Sequence, residues 1–133
     1  MDQNLLVVGY EEDGRALVDR VRAAGFLVVA AFWAKLSERS DWDLYLVSPF
    51  VDEKGAADAY TIIHPILQQH PEIAIDWQDV RVIGVRYGMA KDVTEIQKSK
   101  PFARPIRVRG GTLGGRDLDE AYIYPPLTPV PTA

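Results

Sequence analysis

The sequence predicts an α+β fold: a single mixed or antiparallel sheet of about five strands, with about three helices mainly on one face, in the order α-β-β-α-β-α-β-β. Three observations predict it. Short runs alternating apolar and polar residues recur at 42–49, 104–109 and 120–124. Stretches with apolar residues at helical spacing separate them. Glycine, proline and short polar clusters mark the boundaries.

Taken in order, residues 5–8 form an apolar run too short for periodicity to choose between strand and helix, which leaves residues 4–9 open. A helix is expected over 13–24, with Asp13 as N-cap, Leu17, Val18, Val21 and Ala24 on one face, and Gly25 as the stop. Residues 26–36 (FLVVAAFWAKL) are apolar on both faces, as in a central strand, and 42–49 (WDLYLVSP) alternate. With the polar SERSD between them they read as a hairpin, across which Trp33 and Trp42 are expected to pack.

Asp52 is the expected N-cap of a helix over 53–69, kinked or broken near His64 by Pro65. Residues 80–86 (VRVIGVR) read as a strand in which Gly84 marks a bulge or a close backbone approach. Met89, Val93 and Ile96 give a short helix ended by Pro101. Residues 104–109 and 120–124 are the last strands. Residues 1–124 are expected to form one domain, and 125–133, rich in proline, an extended tail. The expected core includes Leu17, Val21, Val28, Phe32, Leu44, Leu46, Ile63, Val82, Val93, Ile106 and Val108.

Charge is distributed unevenly. The whole chain has net charge −4. Residues 81–116 hold nine basic and two acidic residues, net +7, and the remainder is net −11. The candidate binding residues lie in the basic stretch and the strand after it: Lys98, Lys100, Arg104, Arg107, Arg109, Arg116, Tyr122 and Tyr124. If the last two strands pair, burying Ile106 and Val108 with Ala121 and Ile123 puts Arg107, Arg109, Tyr122 and Tyr124 on the opposite face. Arginine neutralises phosphate or carboxylate, and tyrosine stacks on bases. The loop GGTLGG adds Gly110, Gly111, Gly114 and Gly115, whose backbone freedom can turn N–H groups toward an anion. The competing reading is that acids of the same chain neutralise these arginines.

The functional expectation is a small non-enzymatic binding or assembly protein that uses 98–116 to engage an acidic protein surface or a second copy of itself as a homodimer. Single-stranded RNA or DNA binding ranks second, and a metal-dependent phosphotransfer enzyme or nuclease third. Neither metal nor cofactor is expected: there is no H-E-x-x-H, P-loop or G-x-S-x-G motif, and no cysteine. GYEEDG at 9–14 lacks the dinucleotide fingerprint and would set acids against a pyrophosphate. Asp41 and Asp43 flank Trp42 and could hold a metal as a pair, though a solvated strand end explains them more simply. The acidic N-terminus does not fit a signal peptide, the longest uncharged apolar run is too short to span a membrane, and the cysteine-free composition fits the cytoplasm.

Overall fold

Two apolar runs set the centre of the fold. In the computed structural model, which describes residues 8–39, 41–99 and 103–127, they become β1 (Ala30–Leu36) and β2 (Trp42–Val47), an antiparallel hairpin. Every residue of β1 is buried, as its two-sided apolar sequence requires. Around the pair run α1 (Val8–Ala23), α2 (Pro49–Lys54), α3 (Ala56–Gln69), β3 (Val80–Ile83), α4 (Gly88–Ser99), β4 (Ile106–Arg109), β5 (Thr112–Leu113) and β6 (Arg116–Ile123). The sheet is mixed and six-stranded, ordered β3-β2-β1-β6-β4, with β5 hairpinned onto β6. Only β2 and β3 run parallel, joined through α2 and α3.

The sheet separates two apolar layers. Leu17, Val18 and Val21 of α1 and Ala59, Ile63 and Leu67 of α3 pack on Trp33, Leu44, Leu46, Val80 and Val82. On the other face, Met89, Ala90 and Val93 of α4 cover Phe32, Ala34, Ala121 and Ile123. Helices therefore lie mainly, but not wholly, on one face. Ile106 and Val108, placed in the core by their alternation, are only half-buried, because β4 is an edge strand.

Several boundaries differ from the sequence reading, each for a local reason. The first helix begins by Val8, so Asp13 lies inside it; its carboxylate accepts from the Ala74 N–H instead of capping. Residues 9–14 are therefore helical, and the glycines of GYEEDG form no strand-to-helix turn. The expected 53–69 helix is two helices, broken at Gly55, whose φ of 89° suits glycine. Ser48 caps the first of them, and the second continues through Pro65 to Gln69 without interruption. Asp52 accepts from the N–H groups of Val85 (2.7 Å) and Arg86 (3.3 Å), which ends β3 at Ile83. Gly84 is the expected close approach: a Cβ there would lie 2.5 Å from the Asp52 carboxylate. Trp33 and Trp42 are diagonal, not opposite: Trp33 pairs with Leu44 and Trp42 with Lys35. No helix among the described residues is long and apolar enough to cross a membrane. Leu127 packs against the core, and residues 128–133 of the expected tail lie outside the described residues.

Candidate functional site

The last two strands do pair. β4 and β6 are antiparallel, with Arg107 opposite Tyr122 and Arg109 opposite Glu120, while Ile106 faces Ile123 and Val108 faces Ala121. The alternation thus puts Arg107, Arg109, Tyr122 and Tyr124 on one face. That face is not open to solvent throughout, because the N-terminal half of α1 lies over part of it.

Contact between α1 and this face is polar and close. Tyr124 is 3% exposed; its hydroxyl donates to the Glu11 backbone carbonyl at 2.6 Å and accepts from Trp33 Nε1 at 3.0 Å. Tyr122 donates to Glu11 Oε2 at 2.9 Å. Arg107 donates from Nη1 to Glu120 Oε2 at 2.6 Å and from Nη2 to Glu11 Oε1 at 3.4 Å, and its guanidinium sits 5.3 Å from the Tyr122 ring centre. Gly14 makes the approach possible: a Cβ there would be 2.4 Å from the Tyr124 hydroxyl and 2.8 Å from Trp33 Nε1. Burial, followed by the Glu11 hydrogen bond, pushes the Tyr122 hydroxyl up to about 12. Burial raises Tyr124 as well, with the neighbouring Tyr122 and Glu11 adding to it.

The remaining candidates fall in three places. Arg109 belongs to the same cluster, with Nε 3.9 Å from Glu120 and a side chain 71% exposed. Arg104 is exposed just before β4. Lys98 is exposed in the last turn of α4, and Lys100 lies outside the described residues. Arg116 starts β6 on the opposite face, where it chelates Glu38 through Nε (2.8 Å) and Nη2. That carboxylate raises its pKa further. The arginines of the basic stretch thus do not form one patch, and four of them, Arg81, Arg107, Arg109 and Arg116, face carboxylates of the same chain, Arg107 and Arg116 through direct hydrogen bonds.

The glycine loop is two tight turns around β5. Gly110, Gly111, Gly114 and Gly115 all have φ between 61° and 80°, a region that disfavours other residues. Gly114 and Gly115 form the two-residue turn between Leu113 and Arg116, where positive φ at both positions matches the twist of the strands. The anion facing this loop is its own: Asp92 of α4 accepts from the Gly114 N–H at 2.7 Å. Gly114 also lets α4 start close to the sheet, since a Cβ there would be 2.5 Å from the Met89 nitrogen.

Asp41 is exposed, whereas Asp43 is 1% exposed and accepts from Arg39 Nε at 2.8 Å. The two do not act as a pair, and among the described residues no three His, Asp or Glu side chains converge as metal ligands would. The sequence reading missed Arg39, Tyr45, Arg81 and Tyr87, which line a cleft together with Arg116. Alternation places Asp43 with Tyr45 and sets Arg81 apart from Val80 and Val82, but only the parallel β2–β3 register, Tyr45 beside Arg81, brings them together. A scan against family models finds no match to this chain, and comparisons with curated proteins and with solved structures find none either.

Proposed function

We propose that this chain is a small non-enzymatic binding module whose β4 edge takes an extended acidic segment of a protein partner as an added strand. One observation carries the reading: β4, one of the two edge strands of the sheet, is also strongly cationic, with Arg104, Arg107 and Arg109 in and beside it. No described strand covers its outer edge. An added strand would gain main-chain hydrogen bonds there, with alternate side chains meeting half-buried Ile106 and Val108 on one face and the arginines on the other. Arg109 has charge to spare, because Glu120 is shared with Arg107.

The same charge argues against a symmetric dimer through this edge, since two copies of IRVR side by side would bring arginines together. A single-stranded nucleic acid would find phosphate contacts here but little stacking surface: Tyr124 is buried, and Arg107 lies over Tyr122.

The test is a fluorescence-anisotropy titration with a short labelled peptide alternating valine and glutamate. Binding should fall with added salt and weaken by about tenfold or more in Arg104→Ala plus Arg109→Ala. It should strengthen in Glu120→Gln, which removes the carboxylate facing Arg109 and leaves Arg107 only its Glu11 contact. Equal binding by wild type and the double variant, or tighter binding of single-stranded RNA than of the peptide, refutes the proposal.

A further inference from the structure

The second cationic site, on the opposite face of the sheet, is independent of the β4 edge. We propose that the cleft between Arg39, Arg81 and Arg116 binds a phosphate monoester carried by a planar ring, the chemistry of a nucleoside monophosphate. α4 packs over β1 and β5, and the cleft, about 280 Å³, opens over β2 and β3. That size suits a small ligand rather than a polymer.

Three features make it a prepared site rather than a scatter of surface charge. Arg39 and Arg81 both approach the same buried carboxylate, Asp43, through Nε, at 2.8 and 3.9 Å. Their terminal Nη groups are left unbonded by any described residue, and paired guanidinium donors match phosphate oxygens. Second, Asp43 is 1% exposed, yet its Oδ1 accepts no hydrogen bond. An orphaned buried carboxylate oxygen is costly, and Arg81 Nε, 3.9 Å away, stops about an ångström short of bonding distance. A phosphate seated on the Nη groups of both arginines would draw Arg81 toward Arg39 and complete that bond. Third, the walls are aromatic. Tyr45 is fixed by stacking on Phe32, with ring centres 5.0 Å apart and planes within 5°. Tyr87 is 45% exposed at the mouth, free to cover a planar ring.

Asp43 is thus a positioning residue: it aims two guanidinium groups without consuming their outer donors. Arg116 supplies the third cation, and Glu38, which holds it, is exposed enough to yield to a stronger anion. Tyr45 lines the cleft, and burial, followed by the nearby Asp43 carboxylate, raises its pKa.

Isothermal titration calorimetry with AMP, inorganic phosphate and adenosine tests the proposal. AMP should bind more tightly than phosphate, and adenosine should not bind. Arg81→Gln and Arg116→Gln should each weaken AMP binding by about tenfold or more, and Tyr87→Ala should weaken AMP but not phosphate. Arg109→Ala, on the other face, should change nothing. Arg116 touches no buried carboxylate, so Arg116→Gln tests the cleft even if Arg81→Gln proves unstable. Absence of AMP binding at low salt, equal binding by wild type and Arg116→Gln, or adenosine binding as tightly as AMP overturns the inference. Phosphate binding with AMP excluded overturns the planar-ring assignment.

Discussion

Replacing Gly14 by alanine should destabilise the protein, although the same change within a helix ordinarily helps. An exposed helical glycine costs about 1 kcal/mol relative to alanine. At Gly14 the new methyl would lie 2.4 Å from the Tyr124 hydroxyl and 2.8 Å from Trp33 Nε1, both in the buried layer under α1. Neither neighbour is the loose end of a flexible chain: Tyr124 is held by Glu11 and Trp33, and Trp33 is stacked on Tyr10. Forcing extra volume into such a layer costs about 1–3 kcal/mol. The displaced Trp33–Tyr124 and Tyr124–Glu11 hydrogen bonds add about 1 kcal/mol each if they are lost. Less the propensity gain, Gly14→Ala should lose up to about 2 kcal/mol with those bonds kept and about 2–4 kcal/mol with both lost. Gly9 lies in the same helix, and a methyl added there would meet nothing within 4 Å, so Gly9→Ala should be neutral or gain up to about 1 kcal/mol. Urea unfolding followed by tryptophan fluorescence reads both, with Trp33 reporting from the contact itself. A Gly14→Ala protein as stable as wild type, at unchanged urea dependence, would show that α1 does not press on this face.

Two further outcomes are expected. Glu120, 6% exposed, is the shared partner of Arg107 and Arg109, so Glu120→Gln should lower unfolding stability by about 1–2 kcal/mol, less than for a fully buried pair because Arg107 is one-third exposed; an unchanged urea midpoint would count against the pairing. In alkali, Tyr122 has its folded pKa raised from 10.0 to about 12, so its stabilising contribution is complete below pH 10 and is lost as pH rises through 12. The tyrosinate absorbance band should therefore lag behind that of the unfolded chain between pH 10 and 12, and Glu11→Gln should shrink the lag; a titration superimposable on that of unfolded protein excludes the Tyr122–Glu11 contact.

Much of the fold is legible in local pattern, because strand and helix periods are properties of neighbouring residues. The two-sided apolar run ending at Leu36 marks the central strand, and WDLYLV marks its hairpin partner. The alternation of IRVR sorts Arg107 and Arg109 from Ile106 and Val108, as the β4–β6 register bears out. Where the reading fails, the deciding interaction is long-range. Asp52 has an N-cap's composition, but the loop 33 residues later supplies its donors. Pro65 looks like the break in the long helix, yet the positive φ at Gly55 makes it earlier.

The sequence by itself determined the α+β pattern, the faces of the strands and the concentration of cations between 81 and 116. Tertiary structure alone decided which of those cations meet an acid. Arg107 reaches Glu11 across 96 residues and Arg116 reaches Glu38 across 78. Coulombic and hydrogen-bonding energies depend on separation in space, and two arginines nine residues apart in the chain can lie on opposite faces of one sheet. A charge count along the sequence records how many cations there are. The register of the sheet and the placement of α1 determine which of them still have donors to offer a partner.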